Sequence, residues 1–297
     1  MEGKTVKGGH GVLQQIASFW EKEEILLKKR INLMYFSATG TTKKVVSKIG
    51  KCIAEKDGEM DLREIDFTLP KAREDGIVFS EDDVVIVGVP VYAGRVPNVL
   101  LKYLNTVKGN DTLAAAVVVY GNRNYDDALI ELRDILNSNG FKVIAAAAFI
   151  GEHAFSYTLA KGRPDERDME LASIFADKLY EKIASEGDVE TVKVKGNIPY
   201  RKYYMPKDEN GNLQDIRKVK PKTKDSCTDC KLCANVCPMG SIDYDDVSIL
   251  NGICIKCNAC VKRCPVQAKY FDDIAYLRHK RELEIEFENR REPELFV

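Results

Sequence analysis

The 297-residue chain lacks several features that define large classes of proteins. Its longest apolar runs, Leu113–Tyr120 and Val143–Ile150, have eight residues each, far short of the roughly 20 that a transmembrane helix requires. Its 45 basic and 46 acidic residues nearly cancel, so no excess of positive charge is available for nucleic acid or an anionic membrane surface. The N-terminal segment also lacks the layout of a secretion signal. We therefore expect a cytoplasmic protein with no membrane span and no nucleic-acid partner.

Cysteine is also scarce over most of the chain but concentrated in one segment. Of nine cysteines, eight lie within Cys227–Cys264, and only Cys52 lies elsewhere. Thiols stay reduced in the cytosol, so a disulfide framework is not expected there, and clustered cysteines indicate a metal centre. Cys52 falls in a predicted helix beside Ile49 and Ile53, which favours a buried, inert thiol.

From Arg30 onward, strand and helix patterns alternate. The predicted strands are Ile31–Phe36, Asp61–Phe67, Val84–Val89, Leu113–Tyr120 and Phe141–Ile150. The predicted helices are Thr41–Ala54, Pro97–Val107, Asp126–Asn139 and Asp168–Glu186. Such alternation predicts an α/β fold, a doubly wound five-stranded parallel sheet with helices on both faces.

The remaining segments differ from this pattern in composition. Residues 1–30 form a polar, glycine-containing extension; either the native chain starts near Leu27 or the extension holds a short amphipathic helix. Prolines and glycines punctuate a polar linker, and a charged segment follows the cysteines. The expected organisation is an extension (1–30), an α/β domain (31–186), a linker (187–221), a small α+β domain that contains the clustered cysteines (222–272) and a charged helix (273–297).

The eight clustered cysteines form two runs with the same spacing. Each run reads Cys-x2-Cys-x2-Cys-x3-Cys-Pro, and every cysteine of the first run has a counterpart 27 residues later. Four thiolates this close together can surround a compact cubane cluster. A tetrahedral zinc site more often joins two Cys-x2-4-Cys pairs across a longer loop, so zinc is the less favoured reading.

The cysteine segment resembles the bacterial 2[4Fe–4S] ferredoxins over about Ser226–Phe271. In that family the fourth cysteine of each run binds the cluster of the other run. The resemblance therefore implies two [4Fe–4S] clusters with crossed ligands. The first would take Cys227, Cys230, Cys233 and Cys264, and the second would take Cys254, Cys257, Cys260 and Cys237.

A phosphate-binding turn follows the first predicted strand. Hydroxyl side chains at positions 37, 39, 41 and 42 flank Gly40 immediately before a helix. Backbone N–H groups at a helix start favour an anion, and hydroxyls add donors without adding charge. The turn lacks the lysine of a nucleoside-triphosphate loop, and no Gly-x-Gly-x-x-Gly dinucleotide fingerprint follows any strand. A well-capped helix is the plainer alternative.

Two further loops should meet this turn, because ligands of doubly wound sheets bind at the carboxyl ends of strands where the strand order reverses. These loops are Gly88–Pro97 and Tyr120–Asp127, both rich in glycine, aromatic and polar residues. Over about Ile31–Ser185 the chain resembles the flavodoxin family. The residues expected to bind the cofactor are Ser37, Thr39, Gly40, Thr41, Thr42, Pro90, Tyr92, Gly94, Arg95, Gly121, Asn122, Arg123, Tyr125 and Asp126.

The flavodoxin resemblance implies FMN as the cofactor. It places Tyr92 or Tyr125 beside the isoalloxazine ring, and Gly94 and Arg95 near its pyrimidine edge, where an arginine would stabilise the anionic reduced flavin. His153, in the loop after the fifth strand, is a candidate proton donor to a substrate. The plainer alternative is a histidine that is hydrogen-bonded locally.

As a whole, the chain resembles flavodoxin–ferredoxin fusion proteins, the ferrodoxin family. This resemblance implies an electron carrier or oxidoreductase that moves electrons between two [4Fe–4S] clusters and FMN at low potential. Its partner would be a redox protein or a small-molecule electron acceptor. The alternatives are an NAD(P)H-dependent quinone reductase and a non-enzymatic redox sensor.

Overall fold

The computed structural model describes residues 30–57, 61–185 and 190–297. The two hypotheses about the extension, a native start near Leu27 or a short helix, concern residues outside these ranges. Among the described helices, none has the length and apolar character needed to cross a bilayer.

The first half of the chain forms a parallel sheet with helices between its strands. The strand order is β2-β1-β3-β4-β5, with all four pairings parallel. The strands are β1 (Arg30–Tyr35), β2 (Leu62–Asp66), β3 (Asp83–Pro90), β4 (Thr112–Tyr120) and β5 (Phe141–Ile150). The helices are α1 (Thr41–Asp57), α2 (Asn98–Leu104), α3 (Ala128–Ser138) and α4 (Glu166–Ala184), with a short 3₁₀ turn at Pro70–Arg73. The doubly wound α/β prediction is confirmed.

Two apolar layers explain why the sheet is covered on both faces. Side chains of α1 and α4, such as Ile49 and Phe175, pack on one face. Side chains of α2 and α3, such as Leu100 and Leu132, pack on the other. The central strands β3 and β4 are therefore buried on both sides, which accounts for their continuous apolar sequences.

The cysteine segment folds as two copies of one small unit. It contains β6 (Lys222–Thr223), α5 (Leu232–Asn235), α6 (Ala259–Lys262) and β7 (Lys269–Tyr270), with β6 and β7 antiparallel. Left-handed backbone conformations repeat at the 27-residue offset. The pairs are Asp229 and Lys256, Lys231 and Asn258, and Gly240 and Gln267. The duplication read from the cysteines thus extends to the backbone.

The C-terminal region differs from the predicted continuous helix over 273–297. Helix α7 (Ile274–Glu286) ends early, and strand β8 (Glu294–Phe296) adds to the sheet antiparallel to β5. The side-chain amide of Asn122 donates to the carbonyl oxygens of Phe287 and Asn289, at 2.6 and 2.9 Å. Because those bonds hold the chain in a non-helical path, the following residues reach the open edge of β5.

Candidate functional site

A cavity of about 500 Å³ lies at the carboxyl ends of the parallel strands. It contains the point between β1 and β3 where the strand order reverses, which is the usual ligand position in such sheets. Its size is within the range of small-molecule sites. The residues predicted from the sequence that line it are Thr39, Thr41, Thr42, Pro90, Tyr92, Gly94, Gly121, Arg123 and His153.

Some residues of the phosphate turn line the cavity, and others fix the conformation of the turn. Thr41 and Thr42 lie in the first turn of α1, where backbone N–H groups have no intrahelical acceptor. Ser37 instead accepts a hydrogen bond from the N–H of Lys43 at 2.9 Å, and Gly40 adopts a left-handed φ of +93°. Neither Ser37 nor Gly40 lines the cavity. These two residues instead stabilise the conformation of the turn. The threonine hydroxyls and helix N–H groups suit a phosphate monoester.

The structure does not support the predicted role of Arg95 at the flavin. Its guanidinium forms a two-pronged ion pair with the buried Glu131, at 2.7 and 2.6 Å, and it does not line the cavity. Tyr200 and Tyr203 lie 4.8 and 5.0 Å from it in cation–π geometry. Arg95 therefore anchors the linker, because its charge is already satisfied by Glu131 and the tyrosine rings.

Three predicted residues of the third loop also lie away from the cavity. Tyr125 is buried against Tyr120, with ring centroids 5.6 Å apart, and so belongs to the core. Asn122 holds the C-terminal segment as described above. Asp126 forms an ion pair with Arg123. Its side chain packs so closely against Gly94 that a β-carbon at position 94 would lie only 2.2 Å from the Oδ2 atom of Asp126. These residues position the loop around the cavity. Of the two tyrosines expected beside the ring, Tyr92 lines the cavity and Tyr125 does not.

His153 lines the cavity as a neutral imidazole. Burial lowers its pKa to about 3, with a further decrease from the nearby charges of His279, Lys262 and Arg123. Its Nδ1 accepts a hydrogen bond from the N–H of Phe155 at 3.1 Å. The proton of the neutral ring therefore resides on Nε2, which fixes His153 as a hydrogen-bond donor.

Gly121 creates the space that His153 occupies. A β-carbon at position 121 would lie 2.4 Å from Cδ2 of His153. Gly121→Ala should therefore displace the imidazole into the cavity and weaken FMN binding at least about tenfold, the effect of roughly 1.4 kcal/mol. Fluorescence titration of the apoprotein with FMN measures this. Gly211→Asn is the control, because Gly211 has open space around it and a left-handed φ of +81° that asparagine tolerates; equal affinity for both variants would contradict the prediction.

The linker covers the cavity. Tyr203, Tyr204, Met205 and Pro206 line it, and the N–H of Tyr204 donates to the carbonyl of Ala93 at 2.9 Å. The buried carboxylate of Asp127 accepts hydrogen bonds from the backbone N–H groups of Asn197 and Arg201 and from the Asn197 side chain. These contacts make the linker the roof of the site. Its run of tyrosines is the sequence signal.

The eight clustered cysteines are divided between two further cavities. One is lined by Cys227, Cys230, Cys233 and Cys264, and the other by Cys237, Cys254, Cys257 and Cys260. Each cavity thus collects three cysteines of one run and the fourth of the other. Within the described ranges, no group of three or more His, Cys, Asp or Glu side chains is arranged to hold a single metal ion.

The surroundings of the thiols suit metal-bound sulfur. The backbone N–H of Ser241 donates to Sγ of Cys237 at 3.4 Å, and that of Ala268 donates to Sγ of Cys264 at 3.2 Å. The two bonds are equivalent under the duplication, and N–H donors stabilise thiolate ligands. Burial raises the pKa of the Cys257 thiol to about 12, so metal loading must displace its proton.

Family models match the chain in two places. A flavodoxin domain matches residues 32–148, and a 4Fe-4S dicluster domain matches residues 226–269. The comparison with curated proteins found no match.

Several solved structures are similar to about half of the chain. A flavodoxin from the domain Archaea is 17% identical, covering 52% of this chain and 99% of its own, with a TM-score of 0.38. Flavodoxin 2 from Bacillus cereus is 18% identical, covering 52% and 99%, with a TM-score of 0.38. The apo form of an NADH:FMN oxidoreductase, EMOB, is 17% identical, covering 55% and 94%, with a TM-score of 0.38.

The two family matches account for both halves of the molecule. The flavodoxin domain implies FMN, and the 4Fe-4S domain implies an iron–sulfur cluster. The chain therefore joins a flavodoxin domain to a 4Fe-4S dicluster domain, which is the arrangement of a flavodoxin–ferredoxin fusion. The two domains together support an electron-transfer protein that uses FMN and iron–sulfur chemistry.

Proposed function

We propose that the chain is an oxidoreductase or electron carrier in which two [4Fe–4S] clusters conduct electrons between a redox partner and FMN. FMN, when bound, exchanges two electrons together with a proton, whereas iron–sulfur clusters pass electrons singly. The protein holds these groups in a fixed order and keeps the flavin in a covered cavity. The domain boundaries 31–186 and 222–272 are part of this proposal.

The main support for the proposal is that the FMN cavity and the cavity of the second cysteine set share a wall. Cys254 and Cys257 line both the FMN cavity and the cavity of the second cysteine set, as do Ile253 and Ile255. The second cluster would therefore lie directly against the flavin site. The cavity of the first cysteine set shares no described lining residue with the FMN cavity. This arrangement favours the second cluster as the one next to FMN.

Tyr92 lies at the junction between flavin and cluster. It lines the FMN cavity, and burial raises the pKa of its hydroxyl well above the ordinary value, with Cys257 and Cys254 raising it further. The side chain therefore stays neutral and adds no charge between the two centres. Lys262 of the cysteine domain also forms an ion pair with Glu152 beside the cavity, which fixes the domains against each other.

The two cysteine sets differ in exposure. Cys257 and Cys260 are only 8% and 9% exposed, whereas Cys230 of the first set is exposed to solvent. The first cluster would thus lie nearer the surface, where a partner can approach. Electrons would pass between the partner, the first cluster, the second cluster and FMN, in that order or its reverse.

Anaerobic reconstitution tests the proposal. We expect about eight iron atoms and one FMN per chain, from two four-iron clusters and one flavin site. Sub-stoichiometric dithionite should bleach both the cluster and the flavin absorbance. Centres that bind but resist reduction would favour redox-independent sensing. Turnover of NAD(P)H with a quinone by the full-length protein loaded with FMN but without clusters would favour a quinone reductase.

A further inference from the structure

The electron path described above supplies no proton, although two-electron reduction of FMN takes one up. We propose, on the basis of the proposed function, that His279 and Glu282 form a proton inlet from solvent to the FMN cavity. Both residues lie on α7, the helix that follows the cysteine domain. The inlet is therefore separate from the cysteine wall through which electrons arrive.

His279 connects the cavity to the helix surface. It is only 7% exposed and lines the FMN cavity. Its Nδ1 atom is buried without a hydrogen-bond partner and lies 3.7 Å from Oε2 of Glu282, whose side chain is 37% exposed. Since the two nitrogens lie on different sides of an imidazole ring, this arrangement leaves Nε2 to face away from Glu282.

The neighbours of His279 fix the orientation of its ring. Tyr204 from the linker stacks on it, with centroids 5.7 Å apart and planes at 29°. Phe155 meets it edge-on at 6.3 Å and 81°, and the same Phe155 ring lies 5.3 Å from His153. The two imidazoles that line the cavity thus both contact one phenyl ring.

The charges around the two histidines assign them different roles. Burial lowers the pKa of His279, Glu282 raises it, and Arg123 lowers it further. His153 has its Nδ1 occupied by a backbone donor and faces the charges of Lys262 and Arg123 without a carboxylate among the groups that shift its pKa. His279 is therefore the imidazole equipped to exchange protons, because a carboxylate stands beside it.

The proton balance is one in and one out for each pair of electrons. Nε2 of His279 releases a proton into the cavity while Nδ1 takes one from Glu282, which is replenished by solvent. The ring ends neutral with its proton on Nδ1, and the two electrons come from the iron–sulfur centres. When those electrons leave the flavin, Nε2 would take a proton back and Nδ1 would return one to Glu282, which restores the starting form of the ring. A separation of 3.7 Å exceeds a direct hydrogen bond, and a bridging water or a small rotation of Glu282 completes the link.

Stopped-flow reduction of the anaerobic, fully loaded protein by dithionite tests the inlet. His279→Phe keeps an aromatic ring against Tyr204 and should slow the flavin phase about a hundredfold, the low end of the effect of a positioned proton donor. Added imidazole should restore the rate, and cluster bleaching should be unchanged. Glu282→Gln should slow the same phase. It should also lower the pKa of His279 measured by nitrogen NMR.

Glu286→Gln is the matched control, because it removes a negative charge one turn further along the same helix. It should behave as wild type. A normal flavin phase in both His279→Phe and Glu282→Gln would overturn the inlet, as would a slow phase that imidazole does not restore. If the wild-type flavin never bleaches while the clusters do, the proposed relay itself fails.

Discussion

Replacing Cys237 with serine is expected to remove the cluster of the opposite cysteine run and to disconnect FMN from the remaining one. Cys237 belongs to the first run in sequence, but the structure places it in the cavity of Cys254, Cys257 and Cys260. The variant should therefore lose about four of its eight irons. The cluster that remains would be the one whose cavity does not touch the flavin site.

Iron analysis and stopped-flow absorbance measure this effect. We expect the remaining cluster to bleach normally with dithionite while its electrons no longer reach FMN. Cys264→Ser is the mirror variant and should spare the cluster beside FMN. Cys52→Ser, outside both cavities, should retain all iron. Loss of the cluster bound by Cys227, Cys230 and Cys233 in the Cys237 variant would contradict the crossed arrangement.

Asp127→Ala is expected to release the linker from the FMN cavity. The carboxylate is fully buried and accepts three hydrogen bonds from Asn197 and Arg201. Bonds to a charged group contribute roughly 1.5–3 kcal/mol each, but water and other partners replace part of this. We expect the folded linker to lose on the order of 3 kcal/mol, so that FMN dissociates faster and the linker becomes accessible to protease.

Limited proteolysis and FMN release kinetics check this prediction. Asp127→Asn, which keeps one acceptor oxygen, should have an intermediate effect, and Glu209→Ala, which removes an exposed linker carboxylate, should have little. Burial raises the pKa of Asp127, but the hydrogen bonds from Arg201 and Asn197 outweigh it and lower the pKa below 3.8. The stabilisation is therefore present above that pH and is lost as the pH falls further. Unchanged proteolysis of Asp127→Ala would show that the roof is held elsewhere.

Structural features that depend on residues close together in the chain could be predicted from the sequence. The sheet follows from continuous apolar strands such as Val84–Val89, since burial on both faces requires them. The threonines of the phosphate turn line the cavity because their position at the start of α1 is determined locally. The cysteine spacing likewise reappears in the two thiol cavities, although ligation itself stays a prediction.

Residues whose roles depend on distant partners were not predictable in this way. Arg95 pairs with Glu131, which lies 36 positions away, and its side chain does not line the cavity. Tyr125 is drawn into the core by Tyr120. The linker roof and His279 join the cavity through tertiary packing. The tyrosines of the linker indicate that it packs on something, but not on what, and no local pattern marks His279.

Strand β8 was not predicted, because a strand of three residues is too short to show the alternation of apolar and polar residues that indicates a strand. Its consequence concerns the order in which the protein is synthesised. The edge of β5 stays open until Glu294–Phe296 have emerged from the ribosome, by which time both cysteine runs have already been made. An unpaired edge attracts other strands, so a nascent chain interrupted before this point would be prone to aggregate. The strand that closes the flavodoxin sheet follows the cysteine segment in the chain. The sheet can therefore be completed only after the cysteine segment has been synthesised.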